Sequence, residues 1–324
     1  MVKIAIAGAT SELAREVMDV LAASGKHDII ALVRKDPIDL PTLPGVRWVR
    51  TNYEGKDELV RILQGAHTVL CFFAVHHDAG SETQKRLIDA AIEAGVRRYA
   101  PSEWSRGDKV QMAIDPMPWY AGKGEISNYL ESINQEGKVI EYTKFQPGAF
   151  MNYLAHPQKS AKYISTDPVQ LNFEEGRALV VEGSLDARVT FTTVQDIASI
   201  VARAVDYEGV WPTAGGIRGD DITVGELLKI AEQVIGRPVT IEWLKMEDLV
   251  AGELKTENYS LLTMPSVPKD QIVAFSKMVT IGALVSMANG VWSVSDEWNQ
   301  LLPDHRFTSV KDFVQKWQGN GGSV

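Results

Sequence analysis

Cysteine is nearly absent from this chain of 324 residues, which has only Cys71. A lone cysteine excludes an intramolecular disulfide and any CxxC motif, and it fits a reducing compartment. Basic runs are missing as well. Lysines and arginines are scattered and outnumbered by acids, 33 to 42, so the net charge of −9 argues against a nucleic-acid partner. No apolar run predicts a membrane span, because the longest, near residues 279–291, is interrupted by Gly282, Ser286 and Asn289. The opening MVKIAIAGAT, with its lone Lys3 and short apolar stretch, is too short for a signal peptide and reads as a strand. No HExxH and no Ser-His-Asp ordering occurs, so neither hydrolase nor metalloenzyme chemistry is indicated and no metal is expected. These exclusions leave a soluble α/β protein; it is expected in the cytoplasm, as monomer or homodimer, with a small-molecule substrate and no membrane or nucleic-acid partner.

What is present is alternation. Strands are predicted at residues 2–8, 28–33, 46–49, 67–75, 96–100 and 139–144. Between them, apolar residues at helical spacing (Leu13, Val17, Val20 and Leu21 in the first case) predict helices, among them 57–63, 85–94 and 124–134. Ser81 and Gln84 form an expected capping box for the helix at 85–94. Such alternation predicts a Rossmann-type, doubly wound parallel sheet with helices on both faces. The second half is less regular. Short strands are expected at 178–181 and 189–192, helices at 193–205, 227–235 and from about 309, and a Gly-rich tail at 319–323. The predicted organisation is a Rossmann domain at 1–152 with a return segment at about 187–206, and a smaller α+β substrate lobe at 153–324.

The first strand runs straight into Gly8-Ala9-Thr10-Ser11-Glu12-Leu13-Ala14. In a dinucleotide site, this turn and the following helix N-terminus hold a pyrophosphate through backbone N–H groups. Only the first of the usual glycines is kept. Ala14 is tolerated at the helix-packing position, whereas the Cβ of Ser11 limits how closely a phosphate can approach. The second strand ends at Val33 and is followed by Arg34-Lys35, with Asp36 beyond them. An NAD site places a carboxylate at the strand end for the ribose 2′-hydroxyl, while cations there favour the 2′-phosphate of NADP(H).

Together, the GAT loop, Arg34, the segment VRRYAPSEW at 96–104, Lys123, the turn QPGAFMNY at 146–153 and the segment FTTVQDI at 191–197 resemble the NmrA-like, isoflavone-reductase-like branch of the short-chain dehydrogenases. The resemblance covers about residues 1–240. It implies a Rossmann domain with a substrate lobe, NADP(H), and often reduction of plant or fungal secondary metabolites. The family's catalytic lysine maps to Lys123, and PSEW matches its Pro-Ser-Glu-Phe with Trp104 in place of Phe. The implied cofactor contacts are Gly8, Ala9, Thr10, Ser11, Glu12, Leu13, Arg34, Lys35, Asn52, Phe73, Ala74, Lys123 and Pro147.

Lys123 can donate or take a proton where burial depresses its pKa, or hold a ribose hydroxyl or a developing oxyanion. Tyr120 precedes it by three residues, a rotation of about 300° around a helix, so the side chains can be neighbours without the usual Tyr–Lys spacing of four. Tyr120 is thus catalytic or part of the pocket wall. Ser102, after the fifth strand, faces the nicotinamide or caps a turn. Trp104, Trp119, Phe150 and Tyr153 make either an aromatic wall for a flat apolar substrate or ordinary core. Adjacent histidines on an extended segment point apart, so His76-His77 is not a metal pair, and His76 is expected to contact cofactor or substrate. The expected activity is an NADP(H)-dependent oxidoreductase for a bulky aromatic or heterocyclic metabolite. A nucleotide-sensing regulator and a redox-neutral cyclisation or rearrangement are the alternatives.

Overall fold

The computed structural model describes residues 2–106, 109–166, 170–262 and 267–319; most of the Gly-rich tail lies outside them. A six-stranded parallel sheet has the order β3-β2-β1-β4-β5-β6. Its strands are β1 (Val2–Ala7), β2 (His27–Val33), β3 (Val46–Arg50), β4 (Thr68–Cys71), β5 (Arg98–Ala100) and β6 (Glu141–Tyr142). The order turns back between β1 and β4, so the chain opens a crevice at the carboxyl ends of these two strands.

Both faces are covered, which is why the strands read as unbroken apolar runs. Ile4 and Ile6 point to one side, where α1 (Glu12–Ala23) packs. Ala5 and Ala7 point to the other, under α2 (Lys56–Leu63), α3 (Glu82–Glu93) and, entered from the short α4 (Val110–Ile114), α5 (Ala121–Ile133). The chain later returns to the first face with α6 (Val194–Asp206), whose Ile197, Ile200 and Val201 are fully buried against the α1 cluster.

The rest is built on smaller sheets. β7 (Lys144–Gln146) pairs with β12 (Ala214–Gly216). β8 (Ala149–Phe150), β11 (Arg188–Thr192) and β13 (Asp220–Thr223) form a second group, and β9 (Leu171–Asn172), β10 (Arg177–Val181) and β14 (Thr240–Leu244) a third. The helices are α7 (Val224–Ile235), α8 (Met246–Val250), α9 (Ile272–Ala288), α10 (Glu297–Leu301) and α11 (Val310–Gln318). α7 and α11 share a core with β10 and β11.

Three local expectations need correction. The sixth strand begins at Glu141 and splits, because β7 leaves the main sheet to pair with β12. Ser81 does not cap α3: it sits at φ 56°, and Asp78 instead accepts from the Thr83 and Gln84 N–H groups. Gly282 and Ser286 do not break α9. Gly282 lets the helix approach Pro116, whose carbonyl oxygen would lie 2.4 Å from a Cβ there. With its preceding turn, α9 is long and apolar enough to cross a membrane on length and composition alone, yet Leu284 and Val285 pack on β10 and β14.

Candidate active site

Gly8 is required at the end of β1. Its φ is +70°, and a Cβ would lie 2.8 Å from the Phe72 carbonyl oxygen at the end of β4. Ser11 fits where a glycine was expected because its backbone is extended and its hydroxyl caps α1, accepting from the Ala14 N–H at 3.4 Å. The turn rests on a residue not singled out from the sequence. Tyr53, 1% exposed, accepts from the Gly8 N–H and donates to the Leu32 carbonyl, both at 3.1 Å, and so ties β1 to β2. Burial pushes its phenol far above the ordinary range, which keeps it neutral and able to do both. Tyr53→Phe leaves both backbone groups without this partner and is expected to cost about 1–3 kcal/mol of stability. A thermal melt matching that of the parent protein would refute this role.

At the end of β2, Arg34 and Lys35 are exposed, with Arg34 5.7 Å above the Tyr53 ring. Asp36 is engaged in capping, accepting from the Ile38 N–H, and lies 4.0 Å from Arg50. Tyr53 also meets Phe73 edge-on at 4.8 Å, so Arg34, Tyr53 and Phe73 form one row beside the turn. Asn52 is exposed and exchanges hydrogen bonds with Glu54.

The carboxyl end of β5 holds the second cluster. Lys123, in the first turn of α5, donates to the Glu103 carbonyl oxygen, and its Nζ lies 4.8 Å from the centre of the Tyr120 ring. Burial would raise the Tyr120 pKa. The Arg106 and Lys123 cations and a bond with Ser105 outweigh it and hold the phenol below its usual value. Ser102 is buried, donating its hydroxyl proton to the Phe73 carbonyl at 2.6 Å, and it shares a small cleft with Glu103 and Lys123. A larger hollow, between Ser132 and Val139, lies at the far end of α5 and holds none of these groups.

Trp104 is core rather than wall. It is 8% exposed, stacked between Phe72 and Phe145, with its indole N–H bonded to the Cys71 carbonyl. Trp119, Phe150 and Tyr153 are half-buried, the last two stacked at 5.9 Å. Pro147 accepts from Thr192, and Gly148, at φ +71°, passes so close to Thr190 that only glycine fits. His76 and His77 lie on a tight helical turn with rings 4.1 Å apart, not on an extended segment pointing apart. Among the described residues, no three of His, Cys, Asp and Glu gather as metal ligands. Burial pushes the Cys71 thiol up to about 12, so it offers no thiolate.

With fold and site in view, the comparisons with known proteins place the chain. Residues 2–314 match the NmrA-like family, and the chain belongs to it. It is 22% identical to the oxidoreductase swnN of Metarhizium robertsii, with 97% of both chains covered. Among solved structures, leucoanthocyanidin reductase of Vitis vinifera in binary complex with NADPH is similar at TM-score 0.68 and 17% identity, over 98% of this chain and 99% of that one. AtPrR2 with NADP+ and (+)pinoresinol is similar at TM-score 0.70 and 18% identity, over 97% and 98%.

Proposed function

We propose that this protein is an NADP(H)-dependent oxidoreductase acting on a bulky, apolar, aromatic or heterocyclic small molecule. The observation that carries the reading is a convergence. The tight turn at Gly8, the exposed Arg34-Lys35 pair and the Lys123–Tyr120 pair all stand at the carboxyl edge of one parallel sheet. Its oxidoreductase-named relative and the nicotinamide-nucleotide complexes among its structural neighbours point the same way.

The residues fit such a cofactor. The turn from Gly8 to Leu13 and the start of α1 would hold the pyrophosphate, Arg34 and Lys35 the 2′-phosphate, and Asn52, Phe73, Ala74, Lys123 and Pro147 the remaining contacts. A bound nicotinamide supplies or accepts a hydride. The protein's part is to orient the substrate, exclude water and move a proton. Lys123 carries that proton at Nζ: one of its three donors is engaged by the Glu103 carbonyl, which fixes the ammonium in place. The acidified phenol of Tyr120 is the next proton source. His76, Trp119, Phe150 and Tyr153 would line the substrate. We place the division between the two functional parts near residue 152, with the segment about 187–206 returning to the nucleotide domain.

NADPH is expected to bind at least about tenfold tighter than NADH, the value of one charge-assisted phosphate contact, and Arg34→Ala to erase most of that margin. Fluorescence titration of both nucleotides checks it. Equal affinities in the parent protein would overturn the NADP(H) assignment.

A further inference from the structure

Arg106 is buried beside the proposed proton donor, and beyond acidifying the Tyr120 phenol its guanidinium has no role in the steps above. It is 1% exposed, and its Cζ lies 4.6 Å from the centre of the Tyr120 ring that also neighbours Lys123. Its Nη1 donates to the Met117 sulfur at 3.1 Å, while Nε and Nη2 have no hydrogen-bond partner among the described residues. The indole Nε1 of Trp292 is likewise buried and unpaired. Trp292 covers one face of the guanidinium at 3.4 Å. The Glu103 carboxylate accepts from the Arg106 backbone N–H, and the Tyr120 phenol, within bonding reach of the guanidinium, offsets the charge ahead of Glu103.

The two unpaired donors are not a random pair. Nε–H and Nη2–H are the parallel bonds along one edge of a guanidinium, the edge that matches the two oxygens of a carboxylate. Trp292 covers one face and sulfur takes the other end, so the open edge is reached by a partner lying in that plane. Leaving a buried donor unsatisfied is unfavourable, and a buried charge with half its donors idle more so. We propose that Arg106 is the specificity determinant of this site, its Nε/Nη2 edge receiving a carboxylate borne by the aromatic substrate. This rests on the oxidoreductase reading and narrows it to aromatic carboxylic acids. The cofactor's 2′-phosphate is not the intended partner: Arg34 follows β2 and Arg106 follows β5, three strand spacings apart in the sheet, or roughly 14 Å.

The test is calorimetric titration of the full chain, saturated with NADP+, using 3-phenylpropanoate and its methyl ester. The pair shares its ring and differs in charge, and saturation fills the nucleotide's own phosphate sites. The acid is expected to bind at least about tenfold tighter than the ester, and Arg106→Lys, which keeps the charge but not the fork, to bring the two within about twofold. A crystal structure of the parent protein with the acid adds a reading that does not depend on the variant folding. Carboxylate oxygens within hydrogen-bond reach of Nε and Nη2 support the proposal. Equal affinities, a preference that survives Arg106→Lys, or a carboxylate bound elsewhere would each overturn it. NADP+ binding is read first, by titrating the nucleotide into the free protein, so its absence would overturn the oxidoreductase reading along with this one, whereas normal NADP+ binding without acid preference removes only the role of Arg106.

Discussion

Lys123→Ala is expected to lower turnover by about 10²–10⁴, the usual contribution of a positioned acid or base, while thermal stability stays close to that of the parent protein and NADPH affinity falls by no more than the one contact Lys123 makes, about tenfold. The argument is geometric. Nζ is anchored on the Glu103 carbonyl and sits beside the Tyr120 ring, so its loss removes both a proton carrier and one of the cations that acidify the phenol. Lys123→Arg separates these roles, because arginine keeps the charge but does not release a proton. If Lys123 only supplies charge, the arginine variant recovers most of the activity; if it moves the proton, turnover stays low. Steady-state kinetics on both variants decides, with kcat and KM followed separately. Near-normal turnover in Lys123→Ala would shift the proton to Tyr120 ahead of Ser102, since the Ser102 hydroxyl proton is already committed to the Phe73 carbonyl.

Much of this site was legible because its framework is local. Buried parallel strands announce themselves as apolar runs, and α1 and α6 show their buried faces at helical spacing. Capping is equally local: Thr223 and Glu226, three residues apart, form a reciprocal box at the start of α7. The groups that escaped notice work through contacts across the chain. Tyr53 supports Gly8 from 45 residues away, and nothing in its own neighbourhood marks it. Arg106 looks like a surface arginine until Trp292, from the far end of the chain, covers it. Ser81 misled for the complementary reason: it adopts a positive φ that its type rarely takes, so the usual capping motif did not apply. The aromatic wall could not be told from core because both need large apolar side chains, and only burial separates Trp104 from Phe150 and Tyr153.

The largest stability effect is expected far from the chemistry, at Arg98. This side chain is 2% exposed on β5, and its Nε donates to Glu141 at 2.7 Å, while Nη1 and Nη2 donate to the Tyr207 and Gly209 carbonyls at 2.6 Å each. It therefore fastens the edge of the main sheet to the segment that follows α6. Arg98→Met should cost about 3–5 kcal/mol, the range for removing one partner of a buried ion pair, because it strips a charge from Glu141 and leaves two carbonyls unanswered. Replacing Glu141 by Leu in the same chain should restore only part of the loss: it removes the buried carboxylate but leaves the Tyr207 and Gly209 carbonyls and the Trp211 N–H without these partners. The pH dependence gives an independent check. Burial alone would raise the Glu141 pKa, but Lys138, the Trp211 N–H and Arg98 outweigh it and hold the carboxyl below its usual value. A lowered folded-state pKa means that this stabilisation is complete above the unfolded value of about 4.3 and disappears as the pH falls through the folded one. Chemical denaturation of parent and Arg98→Met across that window should show a gap that is wide near neutrality and narrows in acid. A gap that stayed constant with pH would mean that packing against Trp211, 5.1 Å from the guanidinium, and not the ion pair, is what Arg98 contributes.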